Sequence, residues 1–378
     1  MTTDVEISPQ SWEYRLVAAV IYAVDQRVGG NAAAPRTHWN GLLLEETNPD
    51  FLGSAGDDGS MSVSIENVLE PLRKARDLNR PLNGGEAWEL RDAMGTLTHE
   101  AVHLLAELGD QNAPDAYPYD SAATADNEGR TEHWTHVNLD DIVRDVFPDA
   151  GLEHAEASVS SQTSLDAYPA YTPAAREFDR ALAARSGLTS SEVTEKLMVT
   201  DDSQRWNVAV DLVIDERLAK PGLMPEAHRA EVREQLVAPL RDSLSGLEAI
   251  EADDSLGSDD KSTEATKAAQ KAVAGLDQEL NRIERRYRID NMQSAQQQSQ
   301  RPASRLNQAV RQAQENLPPD LKRLRSLTGP QAPAAGAAKR PADAADRPPS
   351  EQGDGSRPRG QQAPQPGGRR QPSSPHRG

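Results

Sequence analysis

The chain has 378 residues, 41 Lys and Arg against 60 Asp and Glu for a net charge of −19, and no cysteine. The missing cysteine excludes disulfides, thiolate metal sites and cysteine nucleophiles, which leaves histidine and carboxylates as the strong metal ligands. Charge is uneven: residues 301–378 hold 14 Lys and Arg and 6 Asp and Glu, so residues 1–300 hold 27 and 54, and so acidic a body argues against nucleic acid as its partner.

Aromatic residues make up only 4% of the chain and prolines number 26, so a dense core is expected over part of it only. The opening Met-Thr-Thr-Asp-Val-Glu-Ile-Ser has neither the basic nor the apolar region of a secretory signal. The longest apolar run, Leu16 to Val24, is interrupted by Tyr22 and far too short to span a bilayer. A cytoplasmic protein without a membrane span is the resulting expectation.

Ser11 to Val28 reads as an amphipathic helix, opened by Ser8-Pro9, closed by Gly29-Gly30, and carrying Trp12, Leu16, Ala19, Val20 and Ala23 on one face. Asn31 to Gly59 reads as irregular, anchored by Trp39, Leu42 to Leu44 and Phe51. Met61, Val63 and Ile65 alternate with polar residues and fit a short strand; a helix through Ile65, Val68, Leu69, Leu72 and Ala75 that begins earlier fits the same residues.

From Glu86 to Leu108 the apolar positions Leu90, Met94, Leu97, Ala101, Leu104 and Leu108 recur at helical intervals, between Gly84-Gly85 and a C-capping Gly109. Within this helix lies Thr98-His99-Glu100-Ala101-Val102-His103, the pattern H-E-x-x-H. One turn apart, His99 and His103 point the same way and can fill two corners of a tetrahedral Zn²⁺ site. Glu100 then stands beside the metal, where a carboxylate can take a proton from the attacking water and pass it to a leaving amine.

A third ligand is sought in Asp126-Asn127-Glu128-Gly129-Arg130-Thr131-Glu132-His133-Trp134. H-E-x-x-H followed by Asn-Glu-Gly and a further Glu four residues on resembles the gluzincin metallopeptidases, over roughly residues 86 to 140. The resemblance implies His99, His103 and Glu128 as zinc ligands and Glu100 as the base. It departs from the group in the 24 residues between His103 and Glu128, where Gly109 to Ala125 reads as a loop. Glu132 therefore stays a rival ligand, with His133, His136 and Asp126 behind it, and whichever Glu is not bound to metal can orient a ligating His.

Val137 to Phe147 reads as a helix stopped by Pro148, and Tyr168-Pro169-Ala170-Tyr171-Thr172-Pro173 opens another that runs to Arg185. A gluzincin needs a donor for the tetrahedral oxyanion; Tyr168, Tyr171 and His154 qualify, and Tyr171 is taken as the catalytic candidate, against the plainer role of a packing anchor. Helices follow at Thr189 to Val199 and Trp206 to Leu218, the latter with Asp211, Asp215 and Glu216 on a wet face rather than in a site. Pro225 to Ile250 reads as a helix that Pro239 kinks or breaks, and Glu251 to Ser262 as an acidic linker. Val273, Leu276, Leu280, Ile283 and Tyr287 form an a/d seam, which serves either self-association through residues 273–287 or a hairpin folded back on the preceding helix. From Pro330 to Gly378 no apolar periodicity remains, and a disordered tail is expected.

The fold class expected is mostly α, a zincin-like core with at most a small sheet over residues 1–220, a helical extension at 221–300 and a disordered Pro/Arg/Gly-rich tail at 301–378. The function expected is hydrolysis of a peptide or protein substrate by a zinc metallopeptidase, with His99, His103 and Glu128 on the metal and Glu100 and Tyr171 catalytic. The rival is a non-enzymatic interaction or scaffold protein with a structural or vestigial metal; the coiled-coil seam and tail favour it, whereas Glu100, which no structural site requires, favours the enzyme. A carboxylate di-iron bundle needs two Glu-x-x-His pairs and only Glu100 to His103 is found.

Overall fold

The structure, a computed structural model, describes residues 5–29, 36–48, 50–78, 80–316 and 318–319. It is mostly α-helical with one small sheet, as expected, and residues 1–304 form one compact unit. The tail at Pro330 to Gly378 lies outside the described residues.

Helix α1 (Trp12–Gly29) buries Leu16, Val17, Val20, Ile21, Val24 and Val28, a stripe at helical spacing, against α3 (Gly84–His103) and α4 (Ser121–Ala150). Arg27 near its end reaches Asp141 and Asp145 of α4, and the Trp12 indole N–H donates to Ala150 O. The start of α3 is set by a capping box: Asn83 accepts from Glu86 N and Glu86 returns the bond to Asn83 N.

Its end differs from expectation. The helix stops at His103, not at Gly109, because the next residues are tied elsewhere: Leu104 O accepts from His38 N and Glu107 N donates to Val199 O. Leu104 and Leu105 are buried past the helix end while Leu108 points to solvent.

Helix α4 unites what the sequence reads as a loop end and a separate helix. Asp120 caps it by accepting from Ala122 N and Ala123 N, so its first turn, from Ser121, holds residues expected in the loop. Pro148 does not stop it, since Pro148 falls in the last turn and Gly151, at φ 72°, closes the helix with a left-handed cap.

The segment expected to be irregular contributes two strands to a four-stranded sheet of order β1-β2-β4-β3, made of β1 (Val5–Glu6), β2 (Leu43–Glu46), β3 (Gly53–Ala55) and β4 (Met61–Ser64). Strands β2 and β4 run parallel, with Leu43 opposite Met61; β3 runs antiparallel to β4, with Gly53 opposite Val63, and forms the sheet edge. Such short strands leave no run of alternation to read. Both readings of Met61 onward are realised in turn: the strand ends at Ser64, whose hydroxyl accepts from Asn67 N, and a helical stretch begins at Ile65 and passes into α2 (Glu70–Asp77).

After α5 (Glu153–Ser160) come α6 (Tyr171–Ser186), α7 (Ser190–Met198) and α8 (Arg205–Ile214), then α9 (Arg229–Leu244), α10 (Leu247–Glu251) and α11 (Ser258–Glu315). A second core runs from Ala122 of α4 through α6–α9 to Tyr287 of α11, so packing crosses residue 220 without a break. Asp211 and Asp215 of this region pair with Arg229, and Asp211 also with Arg233. The acidic linker shrinks to residues 252–257, because Ser258-Asp259-Asp260 supplies a helix start with acidic residues in the first turn.

Pro239 does not break α9. Glu231, Gln235 and Pro239 of α9 face Arg286, Arg282 and Gly275 of α11, an antiparallel hairpin in which the Pro239 ring rests where Gly275 leaves space. The seam residues Leu276, Leu280, Ile283 and Tyr287 are buried in this hairpin within one chain, as the fold-back reading expects. Among the described residues no helix is long and apolar enough to cross a membrane.

A Cβ placed on Gly275 would stand 3.2 Å from the Pro239 Cβ. Gly275→Leu is expected to force the two helices apart and destabilise the protein by about 1–3 kcal/mol, read as a shift of the denaturation midpoint. An unchanged midpoint would show that α9 and α11 do not pack this way.

Candidate metal centre

The last turn of α3 carries His99, Glu100 and His103, and α4 packs across it with Glu128 and Glu132, themselves one turn apart. His99 Nε2 lies 3.1 Å from His103 Nε2 and 3.1 Å from Glu128 Oε2, and His103 Nε2 lies 3.5 Å from the same oxygen. A tetrahedral ion with bonds near 2.0–2.1 Å separates its ligand atoms by roughly 3.3 Å, so these three atoms stand at the edges such an ion requires. His99, His103 and Glu128 could thus hold a metal ion, and two imidazoles with one carboxylate suit zinc among other divalent metals.

Glu132 is placed differently. Its Oε2 lies 2.9 Å from His99 Nδ1, while Oε1 accepts from Ala167 N at 3.1 Å and lies 3.0 Å from His136 Nε2. It therefore addresses the far nitrogen of His99 and leaves Nε2 toward Glu128, which is the role of an orienting carboxylate. Burial works against ionising Glu132, but hydrogen bonds to His136 and His99 prevail and hold its pKa at about 2. Glu128, although partly buried, is likewise held well below the usual carboxylate range by His103 and His99. Burial opposes charge on His99 too, yet Glu128, Glu132 and Glu100 outweigh it and push its pKa up to about 10.

Glu100 turns toward the sheet. The N–H of Ala55 in edge strand β3 donates to its carboxylate, and a Cβ on Gly53 would lie 2.9 Å from Glu100 Cγ and from Thr96 Cγ2. Only glycine lets the strand pass this close to the helix. Burial pushes the Glu100 carboxyl up, and the two histidines pull it back.

On the opposite side, Gly129 serves a similar purpose. Any Cβ there would collide with the backbone carbonyl of Tyr171, so the glycine after Glu128 admits the start of α6, a close backbone approach of the kind Asn-Glu-Gly suggests. That approach brings Tyr168 over His99, with ring centres 5.8 Å apart, and Tyr171 behind Tyr168 at 5.7 Å. Tyr168 hydrogen-bonds Glu128, and its hydroxyl pKa is raised by burial and by the Glu128 charge. Tyr171, the residue singled out from the sequence, stands one ring further from His99 than Tyr168 and is buried.

The remaining candidates are occupied elsewhere. His154 Nε2 lies 3.1 Å from Ala75 O. Asp126 pairs at 2.5 Å with Arg130, which also binds Asp179. His133 is lowered to about 4 by burial and the nearby Arg176 and Arg130, and His136 contacts Glu132 and Leu165 O. Asn127 accepts from Arg205 at 2.9 Å and lies 3.5 Å from His103 Nδ1. The contributions of Ala55 N–H, Ala167 N–H and Gly53 escape sequence reasoning, because each works through its backbone and leaves no side-chain signal.

Beside the centre opens a cavity of about 510 Å³, bounded by Phe51, Leu52 and Gly53, by the α3 face from Arg91 to Glu100, by Glu132 and His136, and by the loop from Ser164 to Tyr168. No family model, curated protein or solved structure matches this chain.

Two glutamates one turn apart should respond differently. Glu128→Ala is expected to abolish stoichiometric zinc binding, whereas Glu132→Gln should retain zinc with affinity weakened about 10–100-fold, both measured by competition with a chromophoric chelator. Equal losses, or a greater loss from Glu132→Gln, would reverse their assignment.

Proposed function

We propose that the chain is a zinc-dependent metallopeptidase of the gluzincin kind. The observation that carries this reading is the position of Glu100. It shares the last turn of α3 with both histidines, borders the open cavity, and is held by an N–H of the sheet edge, an arrangement that a purely structural metal site has no use for. His99, His103 and Glu128 would hold the ion, and Glu132 would keep His99 in the tautomer that presents Nε2. Zinc held by three protein ligands lowers the pKa of water to near neutrality and polarises a carbonyl.

The other roles belong to the chain. Glu100 accepts the proton of the attacking water and delivers it to the leaving amine, so the bond broken is C–N and the carboxylate is regenerated with each turnover. Tyr168, stacked on His99 with its hydroxyl at Glu128, is the donor nearest the place where negative charge builds on the carbonyl oxygen. Strand β3 ends the sheet beside the cavity, and an extended peptide can add to its open side by backbone hydrogen bonds.

Purified protein should hydrolyse an unstructured protein or mixed peptides, lose the activity to a chelator and regain it with zinc. Glu100→Gln should keep its zinc and lose hydrolysis by about 10²-fold or more. Wild-type activity in that variant would remove Glu100 from the chemistry, and absence of bound metal in both proteins would favour the interaction or scaffold reading.

A further inference from the structure

We propose that the end of the cavity remote from the metal ligands is a subsite for a basic side chain, lysine or arginine, of an extended peptide, with Asp92 as counter-ion and Leu52 and Leu165 against its methylene stem. The proposal rests on the peptidase reading of the adjoining centre.

Among the described residues two carboxylates lining the cavity, those of Asp50 and Asp92, have no hydrogen bond or ion pair; Asp50 is exposed to solvent, and the other charged groups on the wall are engaged. Glu132 is taken by His99, His136 and Ala167 N–H, Asp166 accepts from Tyr168 N and from the Thr172 hydroxyl, and Glu100 accepts from Ala55 N–H. Arg91, the one arginine on the wall, is spent on Asp140 at 2.6 Å, on Ser164 and on Val159 O. Asp92 is half-buried on the cavity wall, yet among the described residues it has neither a hydrogen bond nor an ion pair. A carboxylate partly withdrawn from water without a partner is costly, and a cation brought by a ligand removes that cost. Consistent with this, burial and the nearby charge of Glu132 raise the Asp92 pKa.

Shape agrees with charge. Asp92 precedes His99 by two helical turns, so the two lie on one face of α3 about 10 Å apart. A lysine side chain reaches on the order of 6 Å from its Cα, and the step from the reacting carbonyl to a neighbouring Cα supplies most of the rest. Leu52 and Leu165 are exposed at the cavity mouth, 43% and 63%, and offer apolar surface of the kind that lysine and arginine stems cover. An acidic side chain would be repelled here, and an apolar one would leave the half-buried Asp92 without a partner.

The test uses full-length, zinc-loaded protein and quenched fluorescent peptides that differ at one position, each site flanking the cleaved bond being Lys, Met or Glu in turn. At one of these positions the wild type should prefer Lys to Met by about tenfold in kcat/KM. Asp92→Asn should cut that Lys-to-Met ratio about tenfold, and Asp92→Glu should restore it. No preference for Lys at any position, or the same ratio in Asp92→Asn, overturns the proposal. If zinc-loaded wild type cleaves no peptide, the peptidase reading fails, and the subsite is decided by fluorescence anisotropy with a labelled Lys-containing peptide amide. Binding about tenfold weaker to Asp92→Asn then upholds it, and equal binding overturns it.

Discussion

The constraint at the centre of the structure is a set of five ionisable side chains gathered where α3 crosses α4: His99, Glu100 and Glu132 are buried, and His103 and Glu128 are half-buried. Burying charge is expensive, and an apolar set would make the same helix crossing at lower cost. The cost is tolerated because every group has a partner: each nitrogen of His99 meets a carboxylate, and Glu100 meets a backbone N–H. The depressed carboxylates and raised imidazole describe one condition from two sides, an excess of negative charge gathered around a place for positive charge. A divalent ion would satisfy that condition, and the spacings of His99, His103 and Glu128 are near those it would require.

The two cores explain how the crossing is kept in register. The first, built by α1, the sheet and the α3–α4 pair, fixes the histidines from one side. The second, built by α6 to α9 and α11, presses α6 onto α4 at Gly129 and so sets Tyr168 over His99. Between them runs a buried polar network in which Arg130 joins Asp126 and Asp179, and Thr194 donates to Asp179 at 2.5 Å. Helices α9 to α11 share this second core with α6 to α8, so packing continues across residue 220.

What the sequence discloses is the part written in side chains at fixed spacing. H-E-x-x-H on an amphipathic helix and Glu128 with Glu132 one turn apart single out, before any coordinates, the residues that the fold brings together and that could hold a metal ion. The mostly α character and the helical seam at 273–287 are legible for the same reason. What it conceals is written in the backbone or depends on tertiary choice. The β3 strand, Gly-Ser-Ala, has no alternation to read, although its Ala55 N–H and its missing Cβ at Gly53 position Glu100. Tyr168 and Tyr171 are equivalent on paper, and only the approach at Gly129 decides which ring faces His99. A seam that would suit a partner chain as well as a hairpin is resolved by Gly275 opposite Pro239, a pair separated by 36 positions.

The most direct measurement is a crystal structure of the protein loaded with one equivalent of zinc. The ion should lie about 2.0–2.2 Å from His99 Nε2, His103 Nε2 and a Glu128 oxygen, with Glu132 still on His99 Nδ1. Zinc bound at another place, or coordinated by Glu132 with Glu128 turned away, would contradict it.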